Sequence, residues 1–151
     1  LCEAGAITAV RTAAVSAHAT DRLARPDATT LAILGAGTQA ASHIEAMLEV
    51  RPIEHIRLWS RSREKAVRFA AEQMERHGVP IEVEDDADSA VADADIVCTT
   101  TSAREPVFLP DMVEPGMHIN AVGASIPSWQ EIDSGVVPVV TLFTEIGRAH
   151  V

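Results

Sequence analysis

Two glycines and an alanine stand at the spacing that lets a polypeptide hold a phosphate with its own backbone. They lie in Gly35-Ala36-Gly37-Thr38-Gln39-Ala40, a G-x-G-x-x-A that directly follows the apolar run Leu31 to Leu34 and directly precedes a helical pattern. In that setting each small residue has a task. Gly35 allows the tight turn, Gly37 has no side chain to keep a pyrophosphate off the backbone, and Ala40 lets the helix pack closely on the strand. The helix opening at Thr38 and Gln39 then offers unpaired N–H groups and the positive end of its dipole, an anion site that needs no lysine. About 20 residues further on, a site for NAD usually places Asp or Glu at the end of the second strand to bond the ribose 2′-hydroxyl. This chain has Ser60-Arg61-Ser62 there. A guanidinium offers a 2′-phosphate a charged, two-pronged partner, so Arg61 with the hydroxyls of Ser60 and Ser62 predicts NADP (as NADPH) as the preferred cofactor, with NAD as the alternative. Ser62 is also placed to cap the next helix, and the two roles are compatible.

Those residues need elements to position them. Ile7 to Leu23 carries alanines and valines at helical spacing and stops before Pro26, which predicts an amphipathic helix. Strands are expected at Thr30–Leu34, His55–Trp59, Ile81–Val83, Ile96–Thr100 and Met117–Val122. Helices are expected at Thr38–Val50, Ser62–His77 and, briefly, Ser89–Ala92. Strands alternating with helices in this way imply an α/β fold, a doubly wound parallel sheet of the Rossmann type, in the order 3-2-1-4-5. Gly35 and Thr100 would then end neighbouring strands at the carboxyl edge. Thr100 and Thr101 fall where such sheets bind ligands, and their hydroxyls are candidate contacts for a cofactor ribose, although a threonine run there also serves to finish a strand.

Composition narrows the field. The chain has 151 residues, 47% of them hydrophobic and 3% aromatic, with a formal charge of −10. That acidity, without a basic stripe, argues against a nucleic-acid partner. No apolar run approaches the roughly 20 residues that span a bilayer, and the start lacks a signal-like pattern, so no membrane role and a cytoplasmic location are the expectation. Cys2 and Cys98 are too few for a disulfide framework, and the histidines have no metal-ligand spacing, so no metal is placed. The final stretch EIGRAHV, residues 145–151, can be read back into a common sequencing-adapter sequence and is expected to be a non-native tail. With a start inside a helical pattern, this makes the chain read as a fragment of a longer protein.

Beyond the glycine turn, five stretches in order resemble the ornithine cyclodeaminase and mu-crystallin family. They are ITAVRTAAVSA from Ile7, ILGAGTQAASH from Ile33, RLWSRSREKA from Arg57, TTTSAR with EPV from Thr99, and INAVGASIPSWQEID from Ile119. The resemblance implies a homodimer of longer chains, in which residues 1–26 belong to a helix of a flanking substrate and dimerisation domain and residues 27–144 form the dinucleotide-binding domain. It assigns Arg11 to the active-site side, gripping a substrate carboxylate, and Val122 and Gly123 to the segment packed on the nicotinamide. Where the cyclodeaminase-like pattern has an aspartate, this chain has Ser125, a neutral hydroxyl that cannot act as a general base near pH 7. VGAS-x-P-x-W looks instead like the mu-crystallin and ketimine-reductase branch. The implied activity is NAD(P)H-dependent reduction of a small imino acid. Ornithine cyclodeaminase, an alanine-dehydrogenase-like enzyme and a non-catalytic NADP-binding protein stand as alternatives.

Overall fold

A computed structural model describes residues 4–123 and 129–144. Ser125 and the tail 145–151 lie outside the described residues. Five strands, β1 (Thr30–Leu34), β2 (His55–Trp59), β3 (Ile81–Val83), β4 (Ile96–Thr99) and β5 (His118–Ala121), form one sheet in the order β3-β2-β1-β4-β5. Every pairing is parallel. The central strands β1 and β4 are buried along nearly their whole length, which is why they read as unbroken apolar runs.

Four helices cover the sheet: α1 (Ala4–Leu23), α2 (Thr38–Val50), α3 (Arg63–His77) and α4 (Ala87–Val91). Alternate residues of β1 serve opposite layers. Leu31 and Ile33 pack with Ile44 and Met47 of α2, Ala66 and Ala70 of α3 and Ala17 of α1. Ala32 and Leu34 pack with Ala90 and Val91 of α4, Phe108 and Val136. Element ends depart from the sequence expectation where capping decides them. Helix α4 opens at Ala87 instead of Ser89, because the Asp86 side chain accepts from the Ser89 N–H at 2.7 Å. Strand β4 ends at Thr99, one residue short of the expectation; the Thr100 N–H makes the last ladder bond to the Leu34 carbonyl, and its hydroxyl donates to the same oxygen. The last strand is also shorter than Met117–Val122, and α1 begins before Ile7.

Helix α1 lies against α2, with Ala9, Ala13 and Ala17 forming a buried stripe of small side chains. Three polar contacts fix it. Ser16 Oγ meets the buried His43 ring at 3.0 Å. Asn120 on β5 donates to Thr20 Oγ1 at 3.0 Å. Arg51, just past α2, donates to the carbonyls of Thr20, Asp21 and Ala24 through Nη2 and to that of Arg25 through Nε, closing the carboxyl end of α1. Asn120 also donates to Cys98 Sγ at 3.6 Å, but burial dominates there and pushes that thiol up to about 12.

Candidate functional site

A cleft of about 1070 Å³ opens over the carboxyl ends of the central strands. It is lined by residues 35–39 and 59–62, Lys65, residues 100–107 and Trp129. A smaller hollow of about 310 Å³ lies at the opposite, amino end of β1 to β3, next to Thr30, His55 and Glu82. Doubly wound sheets bind ligands at the carboxyl end, where the strand order reverses, and here that switch falls between β1 and β4.

Gly35 sits at that switch with φ +121°, a conformation L side chains rarely adopt, and donates its N–H to the Trp59 carbonyl at 2.7 Å. A Cβ on Gly35 would lie 2.6 Å from the Thr100 carbonyl oxygen. The glycine therefore makes the turn and also lets the ends of β1 and β4 close together. Gly37 is different. Its φ is −121°, a Cβ would meet nothing within 4 Å, and it is the N-cap of α2 with no side-chain cap. The first N–H groups of α2 are thus left to the cleft, together with the positive end of a 13-residue helix. Gln39 Oε1, on the first turn, is buried without a hydrogen-bond partner among the described residues. Open space over Gly37 and the uncapped donors of the helix fit a phosphate-bearing nucleotide.

At the end of β2 the basic residues divide. Arg63 pairs with Asp85, while Arg61 and Lys65 line the cleft and make no ion pair among the described residues. Ser62 caps α3, accepting from the Lys65 N–H at 3.3 Å, and lines the cleft as well, as does Ser60. On the far wall Thr100 Oγ1 donates to the Leu34 carbonyl, and Thr101 Oγ1 accepts from the Ala103 N–H. Both hydroxyls shape the wall from within. Val122 and Gly123 do not line the cleft; their N–H groups turn back to the Thr99 carbonyl. Arg11 is exposed on α1 and is not among the residues that line the cleft. His43, Asn120 and Arg51 act in the fold. Burial, against a weaker raising contact from the Gln39 carbonyl, holds His43 below the ordinary histidine range.

One residue escaped sequence reasoning altogether. Glu131 is 1% exposed and accepts from the Thr99 hydroxyl and from the Thr101 and Gly123 N–H groups. No sequence signal marks it, since Glu131 stands between Gln130 and Ile132-Asp133 like an ordinary surface acid. Among the described residues no group of three His, Cys, Asp or Glu is arranged to hold a metal, and no helix is long and apolar enough to cross a membrane.

Sheet order, glycine turn and cleft together define a Rossmann-type nucleotide-binding domain. The profile of the ornithine cyclodeaminase/mu-crystallin family matches residues 1–149, and the chain belongs to that family. It is 43% identical over 143 residues to the ketimine reductase mu-crystallin of Rattus norvegicus, covering 95% of this chain and 44% of that protein. To a Delta(1)-pyrroline-2-carboxylate reductase of Bacillus cereus it is 44% identical over 137 residues, covering 91% of this chain and 42% of the relative. The solved Delta(1)-pyrroline-2-carboxylate reductase of Thermococcus litoralis, in complex with NADH and L-proline, superposes with a TM-score of 0.84 at 39% identity, covering 87% of this chain and 41% of the other. The chain spans less than half the length of these relatives.

Proposed function

We propose that the protein is an NAD(P)H-dependent reductase of small cyclic or linear imino acids, and that this chain carries its cofactor-binding part. The observation that carries this reading is the uncapped amino end of α2, opening through Gly37 into a cleft at the strand switch. The likeness to ketimine and pyrroline-2-carboxylate reductases supports the substrate class. The diphosphate is held by the N–H groups of residues 37–39. Ser60, Arg61 and Ser62 take the adenosine ribose, and the guanidinium of Arg61 favours NADPH over NADH. The bound nicotinamide supplies the hydride for the C=N carbon.

The remaining roles belong to orientation. Thr100 and Thr101 wall the cleft beyond the diphosphate, and Val122 and Gly123 carry the end of β5 beside them. Arg11 holds the substrate carboxylate, fixing the direction of the imine carbon. Ser125 offers a hydroxyl that can bond the imine or carboxylate without serving as a base. In this reading residues 1–26 belong with a flanking domain, the 145–151 tail takes no part, and the longer protein works as a cytoplasmic homodimer. The test is to supply the natural-length protein with pyrroline-2-carboxylate and NADPH, and separately with ornithine and NAD. Imine reduction is expected. Efficient proline formation from ornithine without imine reduction would overturn the assignment.

A further inference from the structure

We infer that Glu131 is a positioning residue that sets the nicotinamide half of the cleft, by tying the ends of β4 and β5 to each other. The inference rests on the cofactor reading above. Its basis is the way three donors from two strand ends converge on one buried side chain. Oε1 accepts from the Thr101 N–H, and Oε2 accepts from the Thr99 hydroxyl at 2.9 Å and from the Gly123 N–H. The segments being tied are the two that must stay in register for the far wall of the cleft to hold its shape. The close approach is built in from the other side as well, since a Cβ on Gly123 would run into the Thr101 carbonyl and the Glu131 side chain.

Geometry separates this clamp from the adenosine half. With the diphosphate at the amino end of α2 and the adenosine ribose at the end of β2, the rest of a dinucleotide extends toward β4 and β5. Two strand spacings, about 10 Å, separate the end of β2 from the end of β4. Among the described residues the Glu131 side chain bonds Thr99, Thr101 and Gly123, all at the ends of β4 and β5 and none on the β2 side. Its loss should therefore be felt by a ligand that spans the whole cleft and not by one confined to the adenosine end.

Glutamine is the informative replacement, because it keeps size and shape while replacing one acceptor oxygen with an NH2 donor. If the amide nitrogen takes the Oε1 position, it faces the Thr101 N–H; if it takes the Oε2 position, it faces the Gly123 N–H. In the first case the Thr101 N–H is left unpaired; in the second the Gly123 N–H keeps only its bond to the Thr99 carbonyl at 3.2 Å, so either way the clamp loses one backbone contact.

The experiment uses the natural-length protein and two probes, NADPH and adenosine 2′,5′-bisphosphate, each titrated by calorimetry against wild type, Glu131→Gln and Thr99→Val. Glu131→Gln is expected to weaken NADPH by about tenfold, the scale of one lost hydrogen bond to a charged acceptor, while leaving the bisphosphate unchanged. Thr99→Val removes a single hydroxyl bond, should fold readily, and is expected to show a smaller split of the same sign; it decides the question if Glu131→Gln does not fold. Equal weakening of both probes, which a purely structural role predicts, or no weakening of either, overturns the inference alone. Failure of the wild type to bind NADPH overturns the cofactor reading and this inference with it.

Discussion

Gly35 and Gly37 stand two residues apart, yet alanine at each should fail in a different way. At Gly35 the new Cβ would be held at φ +121° and 2.6 Å from the Thr100 carbonyl oxygen. The backbone conformation costs about 1–3 kcal/mol for a non-glycine residue. The overlap is with main chain, which can yield only by parting β1 from β4, and adds about 1–3 kcal/mol more. At roughly 2–4 °C per kcal/mol for a domain of this size, Gly35→Ala should lower the melting temperature by roughly 5–20 °C. Gly37→Ala meets nothing within 4 Å at an ordinary φ of −121° and loses at most about 1 kcal/mol of N-cap preference. Its methyl group instead occupies the space a diphosphate needs, so NADPH affinity should fall by about tenfold or more. Thermal unfolding and NADPH titration on both variants check the contrast. A Gly37→Ala protein that binds NADPH normally, or a Gly35→Ala protein that melts like wild type, would refute the reasoning.

Arg61→Ala should weaken NADPH by about tenfold or more, the scale of a charge-assisted hydrogen bond, and barely affect NADH; equal losses in the two dissociation constants would reject the 2′-phosphate role. Arg51→Met leaves the carbonyls of Thr20, Asp21, Ala24 and Arg25 without their shared donor, and should cost on the order of 3 kcal/mol in chemical denaturation; an unchanged midpoint would contradict the capping role. Burial is the main cause that holds His43 and His118 below their ordinary value of 6.5. The unfolded chain therefore binds more protons than the folded one below pH 6.5, so stability should fall as pH drops through that value and stay level with respect to these groups above it. Denaturation midpoints of wild type and His43→Gln across that range measure this, the variant showing a weaker acid loss; identical pH profiles would count against it.

What the sequence made legible was local. The run TLAIL, the two glycines and the helical pattern before Pro52 place β1, the turn and α2 with the bounds observed, because apolar continuity, a glycine-only conformation and a proline stop all act within a few residues. The sheet order followed from strand and helix alternation. A boundary slipped where a side chain decided it, as at Asp86 before α4. Long-range bonds left no trace. Thr20 and Asn120 meet across 100 positions, and Glu131 reaches back to Thr99 over 32. Periodicity and spacing carry no record of which distant donors will share one buried acceptor. In the cleft, Arg61 and Ser62 were readable from their place after β2. That Arg63 would turn to Asp85, leaving Lys65 beside Arg61, required the fold.

The claim on which the rest depends is that the cleft at the strand switch holds a nicotinamide dinucleotide by its phosphates. A crystal structure of the natural-length protein with NADPH tests it most directly. The diphosphate should lie against the N–H groups of Gly37, Thr38 and Gln39, with the 2′-phosphate between Arg61 and the hydroxyls of Ser60 and Ser62. A dinucleotide bound elsewhere, or one in this cleft with its diphosphate away from the amino end of α2, would contradict the claim.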